Sequence, residues 1–183
     1  MKKQIITATL ALGAILLGTN NVQAQNATDN ATTTVNITLE DVISIDVASG
    51  TEVVDFNYPT AASYNQDQTV SKANSLIVTS TKAFDIEVKA DKATFEHATI
   101  TTAFIPVNVL TIKPVTGGSM GGTPADVNLS TTDQTLVSAA PVGSAVTLNL
   151  DYFIPLAKSS SSDILGKPSG KYTTTVTYTA TAN

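Results

Sequence analysis

Phe84-Asp85-Ile86-Glu87-Val88-Lys89 (FDIEVK) alternates apolar and charged side chains without a break. Successive side chains of an extended strand point to opposite faces, so Phe84, Ile86 and Val88 share one face and Asp85, Glu87 and Lys89 the other. A helix would scatter these residues around its axis. Only a half-buried strand gives each face a single character.

The same period recurs along the chain. Val35, Ile37 and Leu39 alternate with Asn36 and Thr38, and the odd-numbered face continues through Ile43, Ile45 and Val47. This predicts one long strand with a bend, or two strands in series. Val54, Phe56 and Tyr58 predict another strand, as do Leu76 and Val78. Ile105-Pro106-Val107-Asn108-Val109-Leu110-Thr111-Ile112 is apolar on both faces and predicts a central strand, with Pro106 at its start because proline cannot donate to a ladder. Val146, Leu148, Leu150, Tyr152 and Ile154 alternate with Thr147, Asn149 and Asp151. Residues 171–183, KYTTTVTYTATAN, divide into a tyrosine, valine and alanine face and an almost pure threonine face. The chain holds about thirty threonines, whose branched Cβ suits a pleated surface. Turn residues fall between the runs at 48–50, 57–59, 89–92, 115–124 and 159–170. About eight short strands at this spacing predict a single all-β domain, an antiparallel immunoglobulin-like β-sandwich. The competing membrane barrel needs aromatic girdles, and this chain is only 5% aromatic.

The first residues read differently. Met1-Lys2-Lys3 is basic, residues 5–17 are apolar, and Val22-Gln23-Ala24 offers small residues for cleavage. That is the pattern of a secretory signal peptide over residues 1–24, too short to cross a bilayer as a helix. The mature chain is expected to start near Gln25, with a flexible lead over 25–32 and one sandwich domain over 25–183. Its expected location is the periplasm, cell surface or exterior. The absence of cysteine excludes a lipoprotein anchor and means that no disulfide supports the exported fold.

All ten basic residues are lysines, and Lys2 and Lys3 lie in the leader; the remaining 8 face 15 acidic residues. With no arginine fork and a net negative charge, the chain is a poor partner for nucleic acid or anionic lipid. No later segment is apolar enough to insert in a membrane.

Residues that resemble catalytic or ligand-binding motifs have simpler readings. The glycine-rich run at 116–123 lacks the Lys-Ser or Lys-Thr and the following helix of a phosphate loop, which leaves a flexible hairpin loop. Lys158-Ser159 sets a serine beside a lysine, as Ser/Lys catalysis requires, but no second motif supplies an oxyanion hole and a solvated serine loop accounts for the run. His97 is the only histidine, which limits a catalytic triad or zinc site to that one residue. Asn65-Gln66-Asp67 and Asp163 lack the dense spacing of a calcium loop. Asp85 and Glu87 share a face with Lys89, as in a solvated charge ladder rather than a pair of glycosidase acids. The four Asn-x-Thr/Ser sequons, at Asn26, Asn30, Asn36 and Asn128, fit chance in a chain this rich in asparagine and threonine. The expectation is therefore a non-enzymatic protein with no cofactor and no metal.

Thr33 to Val47 (TTVNITLEDVISIDV) is a leading strand that runs straight into a second, and Gly170-Lys171-Tyr172-Thr173 opens a threonine-rich closing strand. In this layout, over most of the mature chain, the protein resembles small exported β-sandwich proteins of Gram-negative bacteria, including fimbrial major subunits of the colonisation-factor type. What the resemblance implies is a structural or adhesive surface role, with the sandwich of one subunit completed by the N-terminal extension of the next. Val35, Ile37 and Leu39 are then the strand-pairing residues, and the partners are other copies of the chain or surface proteins. The same residues fit a first strand that pairs within its own chain. A monomeric glycan- or cell-wall-binding module using the 115–124 loop is the alternative, although tryptophan is absent.

Overall fold

The structure, a computed structural model, describes residues 29–183, so the leader assigned to residues 1–24 lies outside the described residues. The chain divides after Thr38 into two units. Residues 29–38 form no strand or helix and are exposed throughout. The unit Leu39–Asn183 is an antiparallel β-sandwich, as the alternation predicts.

Its strands are β1 (Ile43–Val47), β2 (Gln68–Ser80), β3 (Phe84–Ala90), β4 (Thr94–His97), β5 (Phe104–Pro106), β6 (Thr111–Val115), β7 (Thr123–Pro124), β8 (Val127–Asn128), β9 (Gln134–Ala140), β10 (Gly143–Ile154), β11 (Tyr172–Thr173) and β12 (Val176–Ala182). A five-stranded sheet has the order β1-β2-β10-β6-β8, a four-stranded sheet β12-β3-β9-β7, and a three-stranded sheet β11-β4-β5. All the pairings are antiparallel.

FDIEVK is the body of β3, flanked on both sides by β12 and β9. Phe84, Ile86 and Val88 are fully buried while Asp85, Glu87 and Lys89 are not. β10 supplies the facing row: Leu148, Leu150, Tyr152 and Ile154 point into the core from between β2 and β6. Leu76 and Val78 of β2 and Ile112 of β6 extend that row to either side. Hydrophobic burial between the two larger sheets is thus the main source of stability in a chain without disulfides.

Three residues other than glycine have positive φ: Asn74 (50°), Ala139 (52°) and Ala145 (51°). Each lies beside a register shift: Asn74 opposite the break between Leu148 and Leu150, Ala139 opposite that between Phe84 and Ile86, and Ala145 within that between Gly143 and Val146. A β-bulge leaves an extra residue without a ladder partner, so its N–H needs another acceptor. The facing strand provides one each time. Asn74 N–H donates to Asn149 Oδ1 (2.7 Å), Ala139 N–H to Asp85 Oδ1 (2.7 Å) and Ala145 N–H to Thr79 Oγ1 (2.9 Å).

The structure corrects three expectations. Residues 35–47 do not form a continuous strand: pairing begins at Ile43, opposite Ser80. Residues 54–58 keep their alternation, with Val54, Phe56 and Tyr58 packed on the core, but join no ladder. The stretch from Ile105 to Ile112 is broken: β5 ends at Pro106, a 3-10 turn spans Val107–Val109, and β6 starts at Thr111. That turn buries Val107 and Val109, and Leu110 just after it is buried too, which is why both faces look apolar. β9 escapes the period-two reading because a second register shift against β3, between Ile86 and Glu87, buries Leu136 and Val137 in succession.

The bulge clamps make a test possible. Asp85→Ala is expected to lower stability by about 1 kcal/mol by removing the acceptor for Ala139 N–H. Ala139→Gly is expected to raise it by up to about 1 kcal/mol, because glycine adopts positive φ without a Cβ clash. Urea midpoints at unchanged slope measure both.

Candidate strand-pairing site

β12 is one edge of the four-stranded sheet, β7 being the other. In its register, Val176↔Ala90 through Ala182↔Phe84, Asp91 N–H donates to Thr175 O (3.1 Å) and Asn183 N–H to Ala83 O (2.8 Å). Bonded and non-bonded pairs alternate in an antiparallel ladder, so the odd-numbered residues of β12 bond to β3. The N–H and C=O groups of Val176, Tyr178, Ala180 and Ala182 therefore point away from β3. They have no backbone partner among the described residues. The side chains of Val176, Tyr178 and Ala180 turn inward, and Thr177, Thr179 and Thr181 are exposed. The two faces predicted for KYTTTVTYTATAN are observed along β12 as far as Thr181, but the stretch is not one strand: Tyr172–Thr173 form β11 in the three-stranded sheet, residues 174–175 join no ladder, and Ala182 is exposed.

Across the sandwich, β12 touches β1, the edge of the five-stranded sheet. A polar bond joins the two layers near here: the hydroxyls of Tyr152 on β10 and Tyr178 on β12 lie 2.8 Å apart. Burial raises the pKa of Tyr178 far above its ordinary value, and the neighbouring Tyr152 adds to the effect. Burial also raises that of Tyr152, while its hydrogen bond with Tyr178 acts in the opposite sense. The Ser75 hydroxyl is buried close by without meeting hydrogen-bond geometry.

Of the residues expected to pair, Val35 and Ile37 belong to the 29–38 stretch and are 76% and 82% exposed. Leu39, at the start of the second unit, is 87% exposed. None of the three lies in a strand. The chain becomes anchored just beyond them, where Asp41 pairs with Lys82 at 2.6 Å and Val42 O accepts from Thr81 N–H at 3.0 Å.

The polar residues weighed as catalytic or ligand-binding are engaged in structural contacts. His97 ends β4; its Nδ1 accepts from Thr99 N–H (3.1 Å) and Ile100 N–H (3.0 Å), and its Nε2 lies 3.1 Å from Ser169 O. These contacts tie the 98–103 turn to the chain ahead of β11, where a Cβ on Gly170 would collide with the imidazole ring. Lys158 pairs with Asp163 at 3.1 Å, and the buried Ser159 hydroxyl meets Tyr58 OH at 3.0 Å. Asp67 accepts from Leu156 N–H at 2.7 Å, and no group of three potential metal ligands occurs among the described residues. The glycine-rich stretch is tied down rather than flexible: Met120 N–H donates to Thr147 O (2.9 Å), and Ser119 and Thr147 exchange backbone-to-hydroxyl bonds. A cleft of about 170 Å³ beneath it is lined by Pro114, Val115, Met120, Pro124, Val137 and Leu148, with no aromatic platform.

Sequence reasoning misses two parts of this site: the outward main-chain groups of β12 and the lack of a ladder at 52–59. Alternation reports which side chains face the core, and carries no signal for whether a neighbouring strand is present. No protein-family model and no curated protein matches the chain.

The tyrosine pair sets an alkaline limit. As pH rises through about 10, unfolded tyrosines ionise while Tyr152 and Tyr178 stay protonated in the fold, so the unfolded state binds fewer protons and stability falls. Tyr178→Phe is expected to lower stability near neutral pH by about 1 kcal/mol. It should also make the alkaline decline shallower, as read from urea titrations between pH 7 and 11.

Proposed function

We propose that the protein is a non-enzymatic structural or adhesive surface protein, a fimbria-like subunit that is exported and pairs with other copies through its N-terminal strand. The observation that carries this reading is the row Val35, Ile37 and Leu39: three large apolar side chains at alternate positions, each more than three-quarters exposed. Their spacing fits one face of a strand, and their exposure is a cost that pairing with a partner removes. The edge of β12 is the matching half, since main-chain bonds supply affinity and alternate side chains fix register. No helix among the described residues is long and apolar enough to cross a membrane. Export rests on the leader pattern of residues 1–24.

Deleting residues 25–40 is expected to leave a folded domain that elutes as a monomer, whereas the intact mature chain forms ladders or very large species on gel filtration. A truncated chain that unfolds shows that these residues serve their own sandwich, and the reading fails.

A further inference from the structure

His97 closes β4, the middle strand of the three-stranded sheet β11-β4-β5. Its backbone and its ring both hold the turn over residues 98–103. On the backbone side, His97 N–H donates to Ala103 O (3.2 Å) and Ala103 N–H to Ile100 O (3.0 Å). On the ring side, Nδ1 accepts from Thr99 N–H (3.1 Å) and Ile100 N–H (3.0 Å), and the Thr99 hydroxyl lies 3.4 Å away. Ala103 is buried, but residues 98–102 are exposed, so the turn draws little from burial and depends on these bonds.

Those bonds fix where the ring carries its proton. A backbone N–H can only donate, so Nδ1, which faces two of them, is bare. The proton of the neutral ring is then on Nε2, which donates to Ser169 O at 3.1 Å. The groups around the ring offer a second proton no ion pair. Tyr172 of β11 meets the ring edge-on at 4.8 Å, and its hydroxyl donates to Pro168 O (2.9 Å). Glu96, the preceding residue of β4, is held by Lys92 at 2.7 Å, and the Lys171 ammonium ahead of β11 lies 3.7 Å from Asp55. β5 brings no titratable side chain, and Lys167 lies over the Phe104 ring at 5.3 Å. Neither carboxylate is bonded to the imidazole.

We propose that His97 is an acid-released latch: neutral, it clasps the 98–103 turn to the end of β4, and on taking a proton at Nδ1 it lets that turn go. The proton comes from water and makes Nδ1 a donor, so Thr99 N–H and Ile100 N–H are left facing a third N–H. Both lose their acceptor in one step, and the turn opens. Nε2–H keeps its bond to Ser169 O, so the ring stays against Gly170 while the turn leaves. A histidine free of such bonds takes up a proton as pH falls through about 6.5, so closure of the turn is complete above that pH and weakens below it. Opening uncovers Ala103 and loosens the end of β5 at Phe104. The latch stands independently of strand pairing.

The test follows amide hydrogen exchange and ring nitrogen shifts by NMR in the chain from Gln25 onward, between about pH 4.5 and about pH 7.5, which spans ordinary histidine titration. Exchange is expressed as protection relative to an unstructured peptide, which removes the pH dependence of the exchange chemistry. Protection of Thr99 and Ile100 is expected to fall about tenfold toward the acid end, the effect of losing a shared acceptor, while Glu87 and Lys89 of β3 keep theirs. At the upper pH the ring shifts are expected to show the proton on Nε2. His97→Asn sets a carboxamide oxygen near the place of Nδ1, an acceptor that does not titrate, and is expected to hold protection constant with pH. Constant protection of Thr99 and Ile100 in the unaltered chain, a neutral ring protonated on Nδ1, or the same acid fall in His97→Asn each overturns the latch. Should the variant not fold, the first two readouts decide.

Discussion

Phe84, Ile86 and Val88 are without solvent contact, and the rest of the sandwich is arranged to keep that row dry. β12 and β9 shield it edgewise, while the inward residues of β10, β2 and β6 form the opposing wall. Every inward residue on those strands is coupled to an outward one by the pleat, so one requirement, a dry interior, sets the surface pattern too. The threonine face of β12 exists because its other face carries Val176 and Tyr178.

A strict two-residue period makes flat ribbons, yet two sheets must curve around a shared core. The bulges at Asn74, Ala139 and Ala145 provide local bends, and each needs an oxygen from the neighbouring strand. Asp85, Asn149 and Thr79 therefore shape the sheets from the polar side of their strands. Asp85 resembles half of an acid pair in the sequence; in the fold it holds a backbone N–H. His97 is similar, since both ring nitrogens are occupied by the turns around it.

What the sequence reveals of this fold is limited to what alternation encodes. β3, β10 and β12 are legible because each buries one face and wets the other over at least six residues. β9 is hidden by the register shift that places Leu136 and Val137 inward in succession. The segment around Pro106 imitates a central strand because a 3-10 turn and the residue after it bury neighbours that a strand would separate. The inward direction of Val54, Phe56 and Tyr58 follows from their spacing, whereas the ladder that spacing suggests is absent. Val35, Ile37 and Leu39 are legible as a strand-forming row, but their missing neighbour belongs to the tertiary arrangement, which local pattern does not describe.

The order of the strands has a kinetic consequence. β2 pairs with β10 and β3 with β12, so the two central strands wait for partners that lie far along the chain. Closing such loops costs entropy before any ladder bond is gained, and folds built this way assemble slowly. Until both closures are made, long apolar-faced ribbons remain uncovered, and no disulfide stands ready to trap a half-assembled form. Ribbons of that kind can pair with those of another copy before the sandwich closes.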